Sequence, residues 1–283
     1  MAKVDLHCHS NASDGMLAPR ELILRACANG VDVLALTDHD ETGGLAPARL
    51  AAEECGIVLV DGVEISVTWN GHTIHVIGLG IDPTDVALAS GLASVRHSRS
   101  ARAQRIADAL AQAGIDGALD GARAHAANPE LISRTHFARF LVGKGYARDV
   151  RGVFQHYLAR GKPGHVPHRW ALLADAVAWI CGSGGIAVLA HPGRYRLGSR
   201  EMQALLGEFK DSLGAGIEVL TGNHSPEETR EFAGLARKYG LLASTGSDFH
   251  APGESRIDLG ALPPLGAGLD PVWRCLREPA GLV

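Results

Sequence analysis

Cysteines, aromatic residues and long apolar runs are all scarce in this sequence, and each shortage excludes a class of protein. The five cysteines are odd in number and include no CxxC pair, so we expect no disulfide framework and a reducing, cytoplasmic location. No apolar run reaches the roughly 18 residues of a transmembrane helix, so a membrane span is not expected. The first strand-like run begins at residue 3, so we expect no signal peptide. Aromatic residues make up only 5% of the chain, which offers little for stacking a long single-stranded nucleic acid.

The remaining composition is that of a soluble globular enzyme. The chain has 283 residues, of which 46% are apolar and 20% charged, enough for one α/β barrel or two modest domains. The net charge of −4 is unevenly distributed, because residues 91–170 contain 13 lysines and arginines but only 5 acidic residues. This basic segment favours an anionic substrate over long duplex nucleic acid, which would favour a basic chain overall. A solvated helical face is the alternative explanation.

Apolar strand-like runs alternate with amphipathic helical segments in two parts of the chain. The alternation covers residues 1–80 and resumes near residue 170, which predicts a parallel sheet or barrel. Between these parts the spacing predicts helices that are rich in arginine. We therefore expect a barrel formed by residues 1–90 and 166–283, with a helical insertion at residues 91–165 that contributes to substrate binding.

Histidines and carboxylates follow the strand-like runs, and zinc, manganese and iron prefer these residue types as ligands. His7 and His9 are two residues apart, so on a strand their side chains point to the same face, and Asp248 and His250 repeat this spacing. Residues that end successive parallel strands converge on one mouth of a barrel. The candidate metal ligands are His7, His9, Asp14, His39, Glu64, His75, His191, Asp248 and His250.

These residues occur in motifs that resemble those of the PHP family, named for polymerase and histidinol phosphatase. The motifs are HCH at 7–9, TDHD at 37–40, AHP at 190–192 and SDFH at 247–250. The resemblance implies an α/β fold, a distorted (β/α)7 TIM-like barrel, which holds three divalent metal ions. Manganese is the metal expected first, with zinc or iron as alternatives.

The same resemblance implies how the ligands are shared. His7, His9, Glu64 and Asp248 would hold one ion, Asp14, His39 and His250 a second, and Glu64, His75 and His191 a third. Within this set Asp14, His39, Glu64, Asp248 and His250 are the expected catalytic residues, with Glu64 bridging two ions. Asp38 is interpreted as a partner that orients an imidazole.

A metal cluster of this kind suits hydrolysis of a phosphate ester by a metal-bridging hydroxide, with cationic side chains to hold the phosphoryl group. Several residues near the insertion and the later strand ends could make such contacts. The candidate substrate-binding residues are Arg99, Ser133, Arg134, His136, Lys162, Arg194, Asn223 and His224. Ser133 and His136 could instead be a helix cap and a packed side chain.

The stretch SRTHFARFLV at residues 133–142 resembles a PHP subgroup of nucleotide phosphatases and 5′→3′ exoribonucleases. That resemblance implies removal of the 3′-phosphate from nucleoside 3′,5′-bisphosphates such as pAp, which leaves the 5′-monophosphate. The expected partner is a small nucleotide or a short RNA, with no membrane and no protein partner implied. Four alternatives stay open: a short-RNA exonuclease, a histidinol-phosphate phosphatase, an amidohydrolase and a non-catalytic PHP accessory module.

Overall fold

A computed structural model describes residues 2–276 and contains a seven-stranded sheet whose strands follow one another in chain order. The strands are β1 (Val4–Asp5), β2 (Val33–Leu36), β3 (Val58–Trp69), β4 (His72–Leu79), β5 (Ile186–Leu189), β6 (Gly216–Thr221) and β7 (Leu242–Gly246). The first and last strands meet, since the Leu6 N–H donates to the Thr245 carbonyl at 2.9 Å and the Asp248 N–H donates to the His7 carbonyl at 2.8 Å. The sheet is therefore a nearly closed barrel, which confirms the predicted fold class.

Helices cover the outside of the barrel and form the segment between β4 and β5. They are α1 (Pro19–Ala28), α2 (Leu45–Cys55), α3 (Val86–Gln112), α4 (Ala118–Ala124), α5 (Arg134–Gly143), α6 (Val150–Val153) with a π-helical turn at Phe154–Leu158, α7 (Leu173–Gly182), α8 (Ser199–Asp211) and α9 (Pro226–Tyr239). Local sequence explains their ends. For example, Ser225 and Glu228 form a capping box that starts α9, and Gly240 ends it in the left-handed conformation. None of the described helices is both long and apolar enough to cross a membrane.

Strands β3 and β4 form a hairpin, which corrects the expectation that Glu64 and His75 follow the ends of separate strands. β4 runs antiparallel to both β3 and β5, and the connecting residues Asn70 and Gly71 have φ angles of 44° and 74°. An Asn-Gly pair with two positive φ angles is the turn that favours a two-residue hairpin. Because β4 is reversed, its first half lies at the barrel end where the parallel strands finish. Glu64 and His75 thus reach the site from strand interiors.

Helix α3 joins the barrel to the helical segment. Leu88 and Leu92, in its first half, pack in the barrel core, whereas Ile106 and Leu110 pack in a second cluster around Phe137. The second cluster is made from α3 to the π-helical turn and has its own apolar interior. The boundary predicted between residues 90 and 91 lies inside α3, and the division into barrel and insertion stays a prediction.

Candidate metal centre

All nine candidate ligands converge at one end of the barrel, and Glu64 lies at the centre of the group. Its Oε1 is 2.9 Å from His75 Nδ1 and 2.8 Å from His191 Nε2. Its Oε2 is 2.9 Å from His39 Nδ1 and 3.4 Å from His9 Nε2. A fully buried carboxylate that faces imidazoles on both oxygens has the geometry of a ligand shared between ions.

The remaining ligands surround this carboxylate in overlapping groups whose donor atoms lie within 4.8 Å of one another. The four groups are His9, Asp14, His39 and His250; His7, His9 and Asp248; His7, Glu64 and His191; and His39, Glu64 and His75. The pairing differs from the three sets implied by the family resemblance, chiefly because His7, His9 and His39 each belong to two groups. The number of ions and their individual ligand sets stay predictions.

Asp248 has two oxygens with different surroundings. Its Oδ2 accepts a hydrogen bond from Arg194 Nη1 at 2.7 Å and one from Asn223 Nδ2 at 3.2 Å. Its Oδ1 is buried, has no hydrogen-bond partner among the described residues, and lies 3.4 Å from His9 Nε2 and 3.5 Å from His7 Nε2. Arg194 and Asn223 therefore fix the carboxylate so that its other oxygen faces the histidines.

The carboxylates of Asp14, Glu64 and Asp248 have lowered pKa values although all three are buried. Burial alone would raise the pKa of Glu64, but the charges of His75, His39 and His7 hold it well below its ordinary value. The same balance holds for Asp14, whose pKa is lowered mainly by His39 and His250, and for Asp248, whose pKa is lowered by His7 and Arg194. A buried set of ionised carboxylates favours bound cations.

His9 and His191 supply neutral donors beside these charges, whereas neighbouring carboxylates raise the pKa of His7 and of His39 against the effect of burial. Burial and the neighbouring His250 and His39 lower the pKa of His9 to about 3, and burial and Arg194 lower the pKa of His191 to about 3. Neutral imidazole is the form that binds a metal ion. Burial would also lower the pKa of His250, but the charges of Asp14 and Asp248 raise it to about 9.

Unpartnered buried atoms give an independent test of whether metal ions fit. One oxygen each of Asp14, Glu64 and Asp248 is buried without a hydrogen-bond partner within residues 2–276, as is a ring nitrogen of His9. Buried polar atoms are normally hydrogen-bonded, and exceptions need an explanation such as an ion. The donor set of imidazole nitrogens and carboxylate oxygens is the one that zinc, manganese or iron would take. The residues present therefore fit a cluster of divalent ions.

Backbone conformation at the site is unusual in the same places. Asp40, His191 and Asp248 are non-glycine residues with φ angles of 52°, 25° and 55°. Such conformations cost free energy and persist where surrounding structure imposes them, often at functional sites. Each of the three occurs just after a strand, where the chain turns to point a side chain into the barrel mouth.

Glu218 belongs to the site and was missed by the sequence analysis. Its Oε1 lies 3.0 Å from His7 Nδ1, and its Oε2 accepts a hydrogen bond from the His191 backbone N–H at 2.6 Å. The carboxylate is fully buried on β6 and orients two ligands at once. The available signal was a single acidic residue inside the apolar run at 216–220, where burial of a charge requires a purpose.

Asp38 has a different position from the one expected, because its carboxylate contacts no imidazole within the described chain. Its oxygens accept hydrogen bonds from the Ser10 hydroxyl at 2.6 Å and from the Ser13 hydroxyl at 2.5 Å. Asp38 therefore holds the loop that precedes Asp14. The effect on Asp14 is one of positioning through the backbone.

Two of the candidate substrate-binding residues of the insertion hydrogen-bond to other residues of the protein at the site. Arg99 is buried and donates to Asp40 and to the Ser66 hydroxyl. Ser133 caps α5 and its hydroxyl donates to Asp14 Oδ2 at 2.9 Å. Both are engaged with protein groups, and their contact with substrate stays a prediction.

Three further candidates are two histidines that hydrogen-bond to the backbone and one exposed lysine. His136 Nδ1 accepts from the Ser133 backbone N–H at 3.0 Å, and burial lowers the pKa of His136 to about 4, so it completes the capping box as a neutral ring. His224 bonds the Val219 carbonyl and the Gly193 N–H, which fixes the turn that carries Arg194. Lys162 is exposed and makes no side-chain hydrogen bond or ion pair within residues 2–276.

A cavity of about 660 Å³ opens beside the metal ligands. Asp248 and His250 line it together with Arg194 and Asn223, so the ligand cluster, a guanidinium and an amide face one space. A second, larger cavity of about 1190 Å³ adjoins it, since Arg194 and Phe154 line both.

Comparisons with known proteins agree on one family. The PHP domain model matches residues 5–222. The chain is 53% identical over 277 residues to a 3′,5′-nucleoside bisphosphate phosphatase of Chromobacterium violaceum, covering 98% of this chain and 97% of that protein. It is 45% identical over 277 residues to the 5′-3′ exoribonuclease Rnm of Escherichia coli, covering 97% of this chain and 94% of that one.

Two solved structures share the fold of this chain over nearly its whole length. A structure described as an amidohydrolase from Chromobacterium violaceum, with bound sulfate and no metal, superposes with a TM-score of 0.94 at 53% identity, over 96% of this chain and 95% of that one. A proposed metal-dependent phosphoesterase from Bifidobacterium adolescentis superposes with a TM-score of 0.79 at 29% identity, over 95% and 92% of the two chains.

Proposed function

The chain belongs to the PHP domain family and is a metal-dependent phosphoesterase, and from this premise we propose that it removes the 3′-phosphate of nucleoside 3′,5′-bisphosphates. The predicted family and enzyme class are confirmed, and the subgroup inferred from residues 133–142 agrees with the relatives. The substrate itself is a proposal. It is supported by 53% identity over nearly the whole length of a relative named for this activity.

The position of Arg194 is the observation that carries the proposal. Its guanidinium binds Asp248, yet 47% of its side chain is exposed and lines the cavity beside the ligands. A guanidinium is planar and carries five donors, so it can bind the carboxylate and still donate to a phosphate oxygen. Arg194 therefore joins the ligand cluster to the space in which a phosphate ester would lie.

The residues of the chain have separable roles in this reaction. The nine ligands would hold divalent ions, most simply manganese, with zinc or iron as alternatives. When bound, such ions lower the pKa of water and offset charge on a phosphoryl group. Arg194 binds a non-bridging phosphate oxygen, and Asn223 keeps Asp248 in place. Glu218 contacts the ring of His7 and accepts a hydrogen bond from the backbone of His191, so that the site is formed before substrate binds.

A direct assay tests the substrate. Phosphate release would be measured with manganese present on adenosine 3′,5′-bisphosphate, histidinol phosphate and a 5′-phosphorylated trinucleotide RNA. We expect the highest kcat/KM on the bisphosphate, with adenosine 5′-monophosphate as the product. A higher kcat/KM on histidinol phosphate, or adenosine 3′-monophosphate as product, would contradict the proposal.

Exoribonuclease activity on short RNA is the second candidate, and the larger cavity favours it. The volume of about 1190 Å³ next to Arg194 exceeds the 660 Å³ beside the ligands, so a substrate longer than one nucleotide has room. The relative in Escherichia coli is named for that activity. In the same assay, release of mononucleotides from the trinucleotide would reveal it.

A further inference from the structure

The side chain of Tyr195 lies at the end of the antiparallel ladder between β4 and β5. The two strands pair as far as Val76 and Leu189. The next residues that face each other are His75 and Ala190, and the Ala190 N–H donates to the His75 carbonyl at 3.1 Å. Residues in a hydrogen-bonded antiparallel pair normally exchange two such bonds, one in each direction. The return bond, from the His75 N–H to the Ala190 carbonyl, is not made directly in the described chain.

The Tyr195 hydroxyl takes the place of this second bond. It accepts from the His75 N–H at 2.9 Å and donates to the Ala190 carbonyl at 2.6 Å. A phenol with an ordinary pKa of about 10 is protonated at neutral pH and can both donate and accept, so one hydroxyl satisfies both backbone groups. Because an oxygen atom is inserted between the N–H and the carbonyl, these two groups are held further apart than a direct hydrogen bond would hold them.

This insertion lies between two candidate metal ligands. His75 belongs to β4, and His191 directly follows Ala190. Both imidazoles contact the same oxygen of Glu64, at 2.9 Å from His75 Nδ1 and 2.8 Å from His191 Nε2. Their rings are inclined at 70° with centroids 5.2 Å apart. The spacing of the strands therefore sets how the two rings approach one carboxylate oxygen.

The peptide group between Ala190 and His191 is hydrogen-bonded at both ends. Tyr195 binds its carbonyl, and Glu218 Oε2 accepts from its N–H at 2.6 Å. The orientation of this peptide determines the φ angle of His191, which is 25°. A positive φ at a non-glycine residue costs free energy and persists only where surrounding contacts impose it. The Tyr195 ring adds an edge-on contact to the His191 ring, with centroids 5.7 Å apart.

We propose that Tyr195 is a positioning residue of the metal centre, whose hydroxyl spaces β4 from β5 so that His75 and His191 bind the same ion. In this role it touches neither the ion nor the substrate and acts through backbone hydrogen bonds. The role depends on the metal centre and not on the identity of the substrate.

Metal titration of Tyr195→Phe tests this role, because the variant loses the hydroxyl and keeps the ring. The His75 N–H and the Ala190 carbonyl lose their shared partner, so the strands approach each other or both groups stay unsatisfied. Either change moves the two ligands. We expect one manganese ion to bind about 10- to 100-fold more weakly, while ions held by other ligands keep their affinity. Titration of the metal-free protein against a competing chelator measures the affinity and the number of ions.

Tyr239→Phe is the matched control. Tyr239 packs on the barrel core from the end of α9, and its side chain makes no hydrogen bond or ring contact with a candidate ligand in the described chain. It should bind metal like the unsubstituted protein. Equal metal affinities in Tyr195→Phe and Tyr239→Phe would overturn the proposal. Equal weakening of every ion in Tyr195→Phe would also overturn it, since that indicates general damage to the barrel mouth.

Cobalt(II) gives a readout that a loss of stability alone would not change. Its visible absorption varies with the coordination geometry, which the positions of the ligands determine. With each protein fully loaded, we expect the spectrum of Tyr195→Phe to differ from that of the unsubstituted protein and the spectrum of Tyr239→Phe to match it. Identical spectra for all three proteins would overturn the proposal, even if Tyr195→Phe had a lower Tm without metal, because the hydroxyl would then support only the fold.

A direct contact with substrate predicts a different kinetic result, and Tyr195 lines the larger cavity. In that case Tyr195→Phe would raise KM at saturating manganese and leave metal affinity unchanged. We expect the opposite on adenosine 3′,5′-bisphosphate: a lower kcat at limiting manganese, a smaller loss with excess manganese, and an unchanged KM. A raised KM that excess manganese does not correct would overturn the proposal. If the unsubstituted enzyme hydrolysed no bisphosphate, the proposed function would fail, and the metal titration and the cobalt spectra would still decide the role of Tyr195.

Discussion

Asp248 illustrates how single residues in this site do two things at once. One oxygen is held by Arg194 and Asn223, and the other is left for a metal ion. Arg194 in turn is held by the carboxylate and remains half exposed for substrate. Replacing Arg194 and replacing Asp248 should therefore have different effects on activity and on metal content.

Replacement of Arg194 tests whether it binds substrate or supports metal binding. We expect Arg194→Ala to lower kcat/KM on the preferred phosphoester by about 10²- to 10³-fold, the range seen when one donor to a developing charge is removed. Metal content, measured by mass spectrometry, should stay the same because Asn223 still binds Asp248. Arg200→Ala, on the exposed start of α8, is the control and should have neither effect. Loss of metal from Arg194→Ala would make its role structural.

Glu218 is the residue whose importance only the structure reveals. We expect Glu218→Gln to weaken metal affinity by about 10- to 100-fold, because the charge that orients His7 and accepts from His191 is lost at constant size. Glu208→Gln, whose carboxylate bonds Trp69 and none of the candidate ligands, should leave metal affinity unchanged. Metal titration with a competing chelator measures both. Equal metal affinities in the two variants would show that Glu218 does not support metal binding.

Six of the nine candidate ligands lie in the four motifs, and the other three were chosen because they follow the first motif or a strand-like run. Glu218 could not be predicted, since its strand offers no motif and its partners are 211 and 27 residues away in sequence.

At the scale of elements, the β3–β4 hairpin brings two ligands to the site from strand interiors. The sequence analysis predicted both strands but not their pairing, because alternation shows where a strand is and not which way its neighbour runs. The Asn70-Gly71 pair was the available signal for a reversal. The parallel strands followed the general rule that chemistry lies at their carboxyl ends.

The hairpin turn can be tested through its glycine. Gly71 has a φ of 74° and no atom within 4 Å of an added Cβ, so Gly71→Ala changes backbone strain alone. We expect it to lower the free energy of unfolding by about 1–2 kcal/mol. Gly143→Ala, at a helical position with equally open space, should raise it by up to about 1 kcal/mol. Urea unfolding measures both, and equal effects would show that the turn is not strained by a side chain.

The start of α5 couples the insertion to the site through a neutral histidine. Burial lowers the pKa of His136 to about 4, below its ordinary value of 6.5. Between these values the unfolded chain binds more protons than the folded one, so stability falls as pH falls from about 6.5 to about 4, by at most about 1.4 kcal/mol per pH unit.

The variant His136→Gln isolates this effect, because glutamine at the same place in a capping box keeps an acceptor but does not titrate. We expect it to lose less stability than the unsubstituted protein over this pH range. His97→Gln, at an exposed position on α3, should behave like the unsubstituted protein. Unfolding free energies at several pH values give the comparison, and identical slopes for all three proteins would show that His136 is protonated when folded.

At the scale of the whole molecule, the ligands come from nearly every part of the barrel. Residues at 7 and at 250 belong to one cluster, and β1 meets β7 to close the sheet beside it. Metal binding therefore depends on a closed barrel, and the closed barrel brings three ionised carboxylates together in its mouth. The unfolded chain does not hold these donor atoms together, so it offers no preformed metal site. Folding and metal binding should then be thermodynamically linked.

Removal of metal tests this link. We expect a chelator to lower Tm of the metal-loaded protein, and added manganese to restore it, since an ion at 100 times its Kd contributes about 2.7 kcal/mol per site. Glu64→Gln removes the carboxylate that contacts His75, His191, His39 and His9, so its Tm should respond much less to the same chelator. Glu227→Gln, on the exposed start of α9, should respond like the unsubstituted protein. Calorimetry measures the Tm of all three proteins with and without the chelator. If the chelator lowered the Tm of Glu64→Gln as much as that of the unsubstituted protein, the stabilising ions would not be bound between β3 and the histidines of the barrel mouth.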